Sequence, residues 1–459
     1  MISEIEGFKS HSKTSQLRSK FKNRMKKVLF ISYYFPPMGL SGVQRSAKFV
    51  KYLPEFGWEP IVLTVKDVLY HAYDPNLLKE LVKTKIIRTE SFDPLRIGLK
   101  LSFKPKKNLK NNTDVNHPFL FHVINRHLFS WIFIPDVKIF WIPHALKEAD
   151  RILYKHHIDL IFTTSPPHSV QFIGWLLKTK QHIPWIADFR DNWRTELFER
   201  GPTALHRKLD RWMATCVVSK ADKVITTTEP IAIDFAQLTR RHQRDFFTIP
   251  NGFDQAEFSI TPKSLSDSEK WTITYCGTLY PERNPYQFLQ AVGKAIHDQP
   301  DLKKKLRIQF VGSVFEIDLM RMINRCGLNK MVEVKGYVPH QESIGYLMAS
   351  DCLLLLIAKN ESKGVATGKI YEYIASGKPI LALVPEGEAK KLVIKHARGI
   401  VVPPDDVDGI KAQLIRAFDL WKRKDLKITV PRWKGIEQYS RWHQTKALAD
   451  IFDRCVESK

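Results

Sequence analysis

Two short segments in the second half of the chain combine glycine with a cation, a pairing that suits phosphate binding. In the first, Gly277 directly follows an apolar segment and Arg283 precedes a helix-length stretch. Glycine lets the backbone approach a ligand closely, and a guanidinium can hold two phosphate oxygens at once. We therefore predict that Gly277 and Arg283 face an anionic ligand.

The second segment stands where a helix is predicted to begin, at Thr367 or Gly368. The N–H groups of a first helical turn and the ammonium of Lys369 would both favour negative charge. Glu372 follows on the same helix face. A cation for a diphosphate and a carboxylate for ribose hydroxyls, one turn apart, would form a nucleotide-binding site. The alternative is an exposed ion pair between Lys369 and Glu372, which would stabilise the helix by only about 0.2–0.5 kcal/mol.

The first half of the chain holds further candidates near the ends of predicted strands. Gly42 lies in a loop before a helix, where backbone N–H groups can approach an anion; the alternative is an ordinary turn. Asp188, Arg190 and Asp191 follow another strand, and ionised groups are costly to bury unless they are paired or bind a ligand. The alternative for them is an internal ion pair between Arg190 and an aspartate. His168 is either an active-site residue or a helix cap or surface residue.

Short apolar segments alternate with helix-length segments along most of the chain, which predicts an α/β protein with parallel sheets. We predict the GT-B arrangement of two doubly wound, Rossmann-like domains that face a cleft. Ligands of such sheets bind beyond the carboxyl ends of the strands, where the candidate residues lie. The predicted organisation is a basic leader (1–25), a first domain (26–251) with an insertion at about 66–141, a linker (252–270), a second domain (271–430) and a C-terminal helix (431–459) that crosses back to the first domain.

The composition is that of a globular and strongly basic protein. The 459 residues include 72 Lys and Arg against 48 Asp and Glu, a net charge of +24, which favours a negatively charged partner. The five cysteines form no Cys-x-x-Cys pair, which argues against a disulfide framework or a structural zinc site. No apolar stretch is long enough to span a bilayer, and no apolar core follows the basic leader as in a secretory signal. We therefore expect a cytoplasmic protein.

From about Lys27 to Ile415, the chain resembles the GT-B-fold glycosyltransferases, specifically the retaining family four group of glycogen-synthase-like and polysaccharide-assembly enzymes. Eight segments in the family's order carry the resemblance: FPPMGLSGVQR, SPPHS, ADFRDNW, ADKVITTTEPI, IPNGFD, CGTLYPERNP, VKGYVPHQESIGYLMASDCLLLL and TGKIYEYIASGKPILALVPEGE. The resemblance implies that a nucleoside-diphosphate sugar binds mostly to the second domain and the acceptor to the first. Arg283 and Lys369 would contact the diphosphate, Glu372 the ribose and Gly42 the leaving-group side of the cleft.

Two positions depart from the family pattern. Many relatives place an active-site histidine in the loop that here contains Asp188, Arg190 and Asp191, and this loop has none. Relatives also often carry a glutamate eight positions before the one matched by Glu372, where this chain has Gly364; Glu361 is the nearest carboxylate. The second departure concerns the donor sugar and leaves the nucleotide-binding half of the pattern intact.

The resemblance also implies that no metal or other cofactor is needed, because cationic side chains and helix dipoles take the place of a metal. Asp406-Val407-Asp408 has the spacing of an acidic metal motif, but it follows two prolines and precedes an amphipathic segment. We therefore predict that Asp405 or Asp406 caps a helix.

The implied reaction is transfer of a sugar, with retention, from the donor to an acceptor hydroxyl in surface-polysaccharide or glycolipid assembly. With a lipid-linked acceptor, the basic cluster at 96–110 and the aromatic-basic segment Phe119–Phe133 would hold the enzyme at the anionic inner face of the membrane. Two alternatives remain: a GT-B-fold nucleotide-sugar 2-epimerase, and a non-catalytic nucleic-acid-binding or scaffold protein. The chain has no recognised nucleic-acid motif, so nucleic acid is not an expected partner.

Overall fold

The computed structural model describes residues 24–39, 41–66, 73–92, 133–193, 203–259, 269–360, 364, 366–396, 399–424 and 435–457. Two sheets organise this part of the chain, one of seven strands in the order β3-β2-β1-β4-β5-β6-β7 and one of six in the order β10-β9-β8-β11-β12-β13. Neighbouring strands within both sheets run parallel. The predicted GT-B architecture of two Rossmann-like domains is confirmed.

The strands are β1 Lys26–Ser32, β2 Trp58–Val65, β3 Lys85–Thr89, β4 Leu160–Ser165, β5 Trp185–Phe189, β6 Lys223–Thr226, β7 Phe246–Thr248, β8 Trp271–Cys276, β9 Leu306–Val311, β10 Val332–Gly336, β11 Cys352–Leu356, β12 Ile380–Leu383 and β13 Gly399–Val402. The α-helices are α1 Ser41–Tyr52, α2 Asn76–Lys79, α3 Ile142–Lys155, α4 Ser169–Gln181, α5 Ala204–Lys220, α6 Glu229–Thr239, α7 Tyr286–Asp298, α8 Pro300–Lys305, α9 Leu319–Arg325, α10 His340–Ala349, α11 Gly368–Ser376, α12 Glu388–Lys395, α13 Val407–Lys422 and α14 Arg441–Glu457.

Each sheet has a hydrophobic core on both of its faces. In β1, Leu29 and Ile31 lie in one buried cluster, whereas Val28 and Phe30 lie in another. In a strand successive side chains point to opposite faces, so a continuous apolar run such as this one requires helices on both sides. This packing explains why the strands were visible in the sequence as short apolar runs.

The two domains are joined by contacts as well as by the chain. α14, at the end of the chain, packs against α1 of the first domain. The loop after β1 meets the second domain at Gly39, where a Cβ atom would overlap the Tyr337 hydroxyl. Asp74 of the first domain accepts a hydrogen bond from the backbone N–H of His340, at 3.0 Å. These contacts place the loop after β1 opposite the second domain.

Regular structure extends into segments that the sequence analysis did not resolve. β3 lies within the predicted insertion and forms the edge of the first sheet. The predicted linker begins with a 3₁₀ turn, Gln255–Ser259, and Asp254 just before it is buried. No helix in the described ranges is long and apolar enough to cross a membrane. Residues 1–23, the basic cluster at 96–110 and residues 119–132 of the aromatic-basic segment lie outside the described residues.

Candidate active site

Lys369 lies directly over Gly277 at the carboxyl edge of the second sheet. β8 ends at Cys276, and Gly277 follows with a φ of 138°, a conformation that favours glycine. A Cβ atom at this position would overlap the Nζ and Cε atoms of Lys369. The ammonium is 2.9 Å from the Tyr275 hydroxyl and 4.5 Å from the centre of its ring. The fold therefore brings together the glycine turn after β8 and the first turn of α11, as the sequence predicts.

The start of α11 is open on its outer side. Apart from its chain neighbours and its own helix backbone, no atom of the described residues lies within 4 Å of the position that a Cβ of Gly368, the first residue of α11, would occupy. Thr367 is the N-cap residue, but its side chain makes no capping hydrogen bond. Its hydroxyl oxygen is shielded from solvent and has no hydrogen-bond partner within the described part of the chain. Because N–H groups at a helix start attract anions, this end of α11 can hold a negatively charged group beside the Lys369 ammonium.

Glu372 lies one turn further along α11, and its ion-pair partner is His340. Its Oε1 is 3.6 Å from His340 Nε2, and the same nitrogen is 3.1 Å from Glu257 Oε2. Burial alone would lower the pKa of His340, but the two carboxylates raise it to about 9. Burial raises the pKa of Glu372, and the His340 charge opposes that rise. The alternative of an exposed Lys369–Glu372 pair is wrong, since the Glu372 side chain is only 18% exposed.

Arg283 lies in a neighbouring cavity. Its guanidinium is 5.2 Å from the centre of the Tyr280 ring, and the residue is buried. It lines a cavity together with Gln287, residues 356–359 after β11 and residues 404–405 after β13. Lys369 is not among the described residues that line this cavity. Arg283 and Lys369, which were both predicted to contact the diphosphate, therefore do not line this cavity together.

Arg190 holds together two loops of the first domain. Its guanidinium donates hydrogen bonds to three backbone carbonyls: Gly42 in the first turn of α1, Ser165 at the end of β4 (3.0 Å) and Pro166 (2.6 Å). Burial lowers the pKa of Arg190, and the carboxylates of Asp191 and Asp188 oppose that shift. Arg190 and Gly42, two separate candidates from the sequence, therefore lie together, and the guanidinium is oriented by carbonyl oxygens and holds the two loops in place.

His168 is buried rather than a surface residue. Its ring stacks on Trp193 with a centroid distance of 4.6 Å, and its Nδ1 lies 3.3 Å from the Ser165 hydroxyl. Burial, with a contribution from the Arg190 charge, lowers the pKa of His168 to about 3. The imidazole is therefore neutral at physiological pH. It contributes a polar edge to the same corner of the first domain as Arg190.

Asp188 has a partner that the sequence analysis did not consider. Its carboxylate accepts hydrogen bonds from Arg45 Nη2 at 2.9 Å and from the Thr164 hydroxyl at 2.7 Å, and it is fully buried. The alternative of an internal ion pair between Arg190 and Asp188 is therefore wrong, because Arg45 of α1 supplies the cation that Asp188 contacts. The Arg45 pair compensates the buried charge without a ligand. Asp191, in contrast, is exposed.

A cluster of charged residues at the domain junction was not predicted at all. We call it the junction cluster: Lys48 and Lys51 of α1, Glu80, Asp254, Glu257 and His340. Lys48 lies at its centre, 2.8 Å from Glu80, 2.7 Å from Asp254 and 2.7 Å from Glu257. Burial alone would lower the pKa of Lys48, but the surrounding carboxylates raise it above its usual value. Through His340, the cluster links the first domain to Glu372.

Gly364, at the position where relatives often have a glutamate, lies against the first domain. A Cβ atom at Gly364 would lie 3.4 Å from Pro230 Cβ and 3.6 Å from the Thr228 hydroxyl, at the start of α6. The loop after β11 thus reaches the first domain at this point. Glu361, the nearest carboxylate in the sequence, lies outside the described residues.

The acidic triplet near the end of the second domain is part of a helix cap. Asp406 accepts a hydrogen bond from the backbone N–H of Gly409 at 2.8 Å and is the N-cap of α13, as predicted. In the described part of the chain, no three His, Cys, Asp or Glu side chains are grouped so that they could hold a metal ion.

Two family models match the chain, one over the C-terminal part of the first domain and one over the second domain. Residues 123–252 match the family described as glycosyl transferase 4-like domain, and residues 257–429 match glycosyl transferases group 1. No curated protein matches the chain in sequence. A two-domain Rossmann-like fold, with a glycosyltransferase family model matched in each domain, supports a GT-B glycosyltransferase.

Solved structures share the fold over nearly the whole chain. HepE from Anabaena, solved in complex with UDP, has a TM-score of 0.63 at 14% identity, covering 93% of this chain and 100% of its own. WaaG, a glycosyltransferase involved in lipopolysaccharide biosynthesis, has a TM-score of 0.56 at 14% identity, covering 93% and 99%. A candidate UDP-N-acetylglucosamine 2-epimerase from Listeria monocytogenes has a TM-score of 0.54 at 11% identity, covering 95% and 98%. At such identities the likeness concerns the fold alone.

Proposed function

We propose that this glycosyltransferase moves a sugar, with retention, from a nucleoside-diphosphate sugar to an acceptor hydroxyl in surface-polysaccharide or glycolipid assembly. The observation that carries the proposal is the position of the Lys369 ammonium over Gly277, beside the open start of α11. A diphosphate placed there would contact a cation and helix N–H groups together. Glu372, one turn further along the same helix, would accept hydrogen bonds from the ribose.

In the proposed reaction, the bond between the anomeric carbon and the diphosphate oxygen breaks while negative charge grows on the diphosphate. Groups that are already oriented toward that charge lower the barrier, and the loss of one such group typically raises it by about 2.7–4 kcal/mol. Lys369 and the first-turn N–H groups of α11 are placed for this role. Arg283, in the same domain, would contribute from the cavity that it lines, and closure of the two domains would exclude water.

The acceptor would bind at the corner of the first domain that Arg190 organises. Gly42, the carbonyl groups around Pro166 and the neutral His168 meet there. A neutral imidazole and backbone groups suit a hydroxylated sugar better than a charged ligand. A lipid-linked acceptor would fit the strongly basic composition, since an anionic membrane attracts Lys and Arg. We propose that the reaction needs no metal.

Uridine diphosphate sugars are the first donors to test, because HepE was solved with UDP. The experiment incubates the full chain with a panel of UDP-, GDP- and other nucleotide-sugars and measures the release of nucleoside diphosphate, with and without a chelator. We expect one donor to be used and Lys369→Ala to lower kcat by about 10²–10³-fold. Lys294→Ala is the matched control, because Lys294 is an exposed lysine of the same domain that pairs with Asp408.

The same experiment separates the alternatives. Conversion of the donor to an epimer without acceptor would replace the transferase proposal with the 2-epimerase. If the protein instead binds nucleic acid with a steep salt dependence and does not respond to nucleotide-sugars, it would be a non-catalytic nucleic-acid-binding or scaffold protein. Loss of activity with a chelator, restored by a divalent cation, would contradict metal independence.

A further inference from the structure

α5 exposes several apolar side chains to solvent, although a helix that packs on a sheet normally buries its apolar face. Its C-terminal half buries Ala214, Val217 and Val218 in the first domain. Its N-terminal half exposes Leu205, Leu209 and Trp212, which are 72%, 37% and 56% accessible. Their spacing of four and three residues places them on one helical face. We call this surface the α5 apolar face.

The helix is held in this orientation by contacts on its inner side and at its start. Asp210 points inward, where its carboxylate accepts a hydrogen bond from Trp193 Nε1 at 2.9 Å. The side chain of Thr203 caps the helix by accepting a hydrogen bond from the backbone N–H of His206. The α5 apolar face is therefore an exposed surface of a well-anchored helix.

Cations flank this face along one side. Lys208 and Arg211 are exposed and lie next to it at helical spacing, whereas Arg207 lies toward the opposite face. Asp210, the one acidic residue in the sequence of α5, takes part in the inward contact. Apolar side chains flanked by basic ones match the boundary between the headgroups and acyl chains of an anionic bilayer. A symmetric contact with a second copy would instead oppose these cations to one another. We propose that α5 docks the enzyme onto a membrane surface rich in anionic lipid.

If the proposed function is correct, docking through α5 would also help the enzyme reach its acceptor, because α5 lies next to the proposed acceptor corner. Trp193, which α5 holds through Asp210, stacks on His168 at the proposed acceptor corner. Docking through the start of α5 would therefore bring that corner close to the membrane. An acceptor anchored in the same leaflet could then reach the cleft without leaving the bilayer.

The test is co-sedimentation of the full chain with phosphatidylcholine vesicles that contain or lack phosphatidylglycerol. We expect binding to the anionic vesicles that falls with added salt. Replacing Leu209 and Trp212 together with Ser, or Lys208 and Arg211 together with Gln, should each weaken it by about tenfold or more. Phe315→Ser, which removes an exposed aromatic residue of the second domain, is the matched control and should bind like the wild type.

Wild-type binding by both double variants would overturn the proposal, as would the absence of any binding to anionic vesicles. A dimer in sedimentation velocity that the Leu209/Trp212 variant abolishes, without vesicle binding, would assign the face to a second copy instead. UDP binding is measured on the same proteins and should be unchanged. Its absence in all of them, with vesicle binding intact, would contradict the proposed function and leave the docking surface standing.

Discussion

Replacing His340 with Gln should remove a pH-dependent part of the stability of the domain junction. The two neighbouring carboxylates raise the pKa of His340 from 6.5 to about 9 against the effect of burial. Because the pKa is higher in the folded protein, the stabilisation is present in full below the unfolded value and is lost as the pH rises through about 9. One pKa unit corresponds to about 1.4 kcal/mol, so the charge on His340 contributes about 3 kcal/mol at pH 6.

The assay is urea unfolding of the wild type and His340→Gln between about pH 6 and pH 10. We expect the difference in the free energy of unfolding to be largest at the acid end and to shrink by about 3 kcal/mol across this range. His297→Gln is the control, because His297 is an exposed histidine of the same domain and should show no such trend. A His340→Gln difference that stays constant with pH would refute the reasoning, since it would mean that the imidazole is uncharged in the folded state.

Two further substitutions test the geometry of the site. Asp188→Asn should destabilise the first domain by about 3–5 kcal/mol, because Arg45 would keep a buried charge without its counterion; thermal unfolding measures this, and Asp450→Asn at an exposed position of α14 should change little. Gly277→Ala should weaken the binding of UDP in calorimetry, because the new methyl group displaces Lys369 and the backbone at this position favours glycine; unchanged affinity would show that the Lys369 ammonium does not contribute from this position.

The fold could be predicted from the sequence because its signals are local. Runs such as Val28–Ile31 are apolar on both faces, and helix-length segments separate them, so the parallel sheets follow from the pattern alone. The glycine turn at Gly277 and the start of α11 could be predicted for the same reason. Each depends on a strand end or a helix start, and the topology then brings the two together.

The contacts of the charged residues could not be predicted in this way. One alternative from the sequence was a pair between Asp188 and Arg190, which lies two residues away. The cation that contacts Asp188 is instead Arg45, which is distant in the sequence and brought close by the pairing of β1 with β4 and of β4 with β5. The junction cluster draws Lys48, Glu257 and His340 from three distant segments. Nothing in the neighbourhood of any one of them signals the others, since a long-range ion pair has no sequence period.

The central claim is that Lys369 and the start of α11 hold the diphosphate of the donor. Titration calorimetry of UDP with the wild type, Lys369→Ala and Lys294→Ala tests it most directly. A hydrogen bond to a charged group typically contributes about 1.5–3 kcal/mol, so we predict that Lys369→Ala binds UDP about tenfold to a hundredfold more weakly and that Lys294→Ala binds like the wild type. Equal affinities for the wild type and Lys369→Ala would contradict the claim.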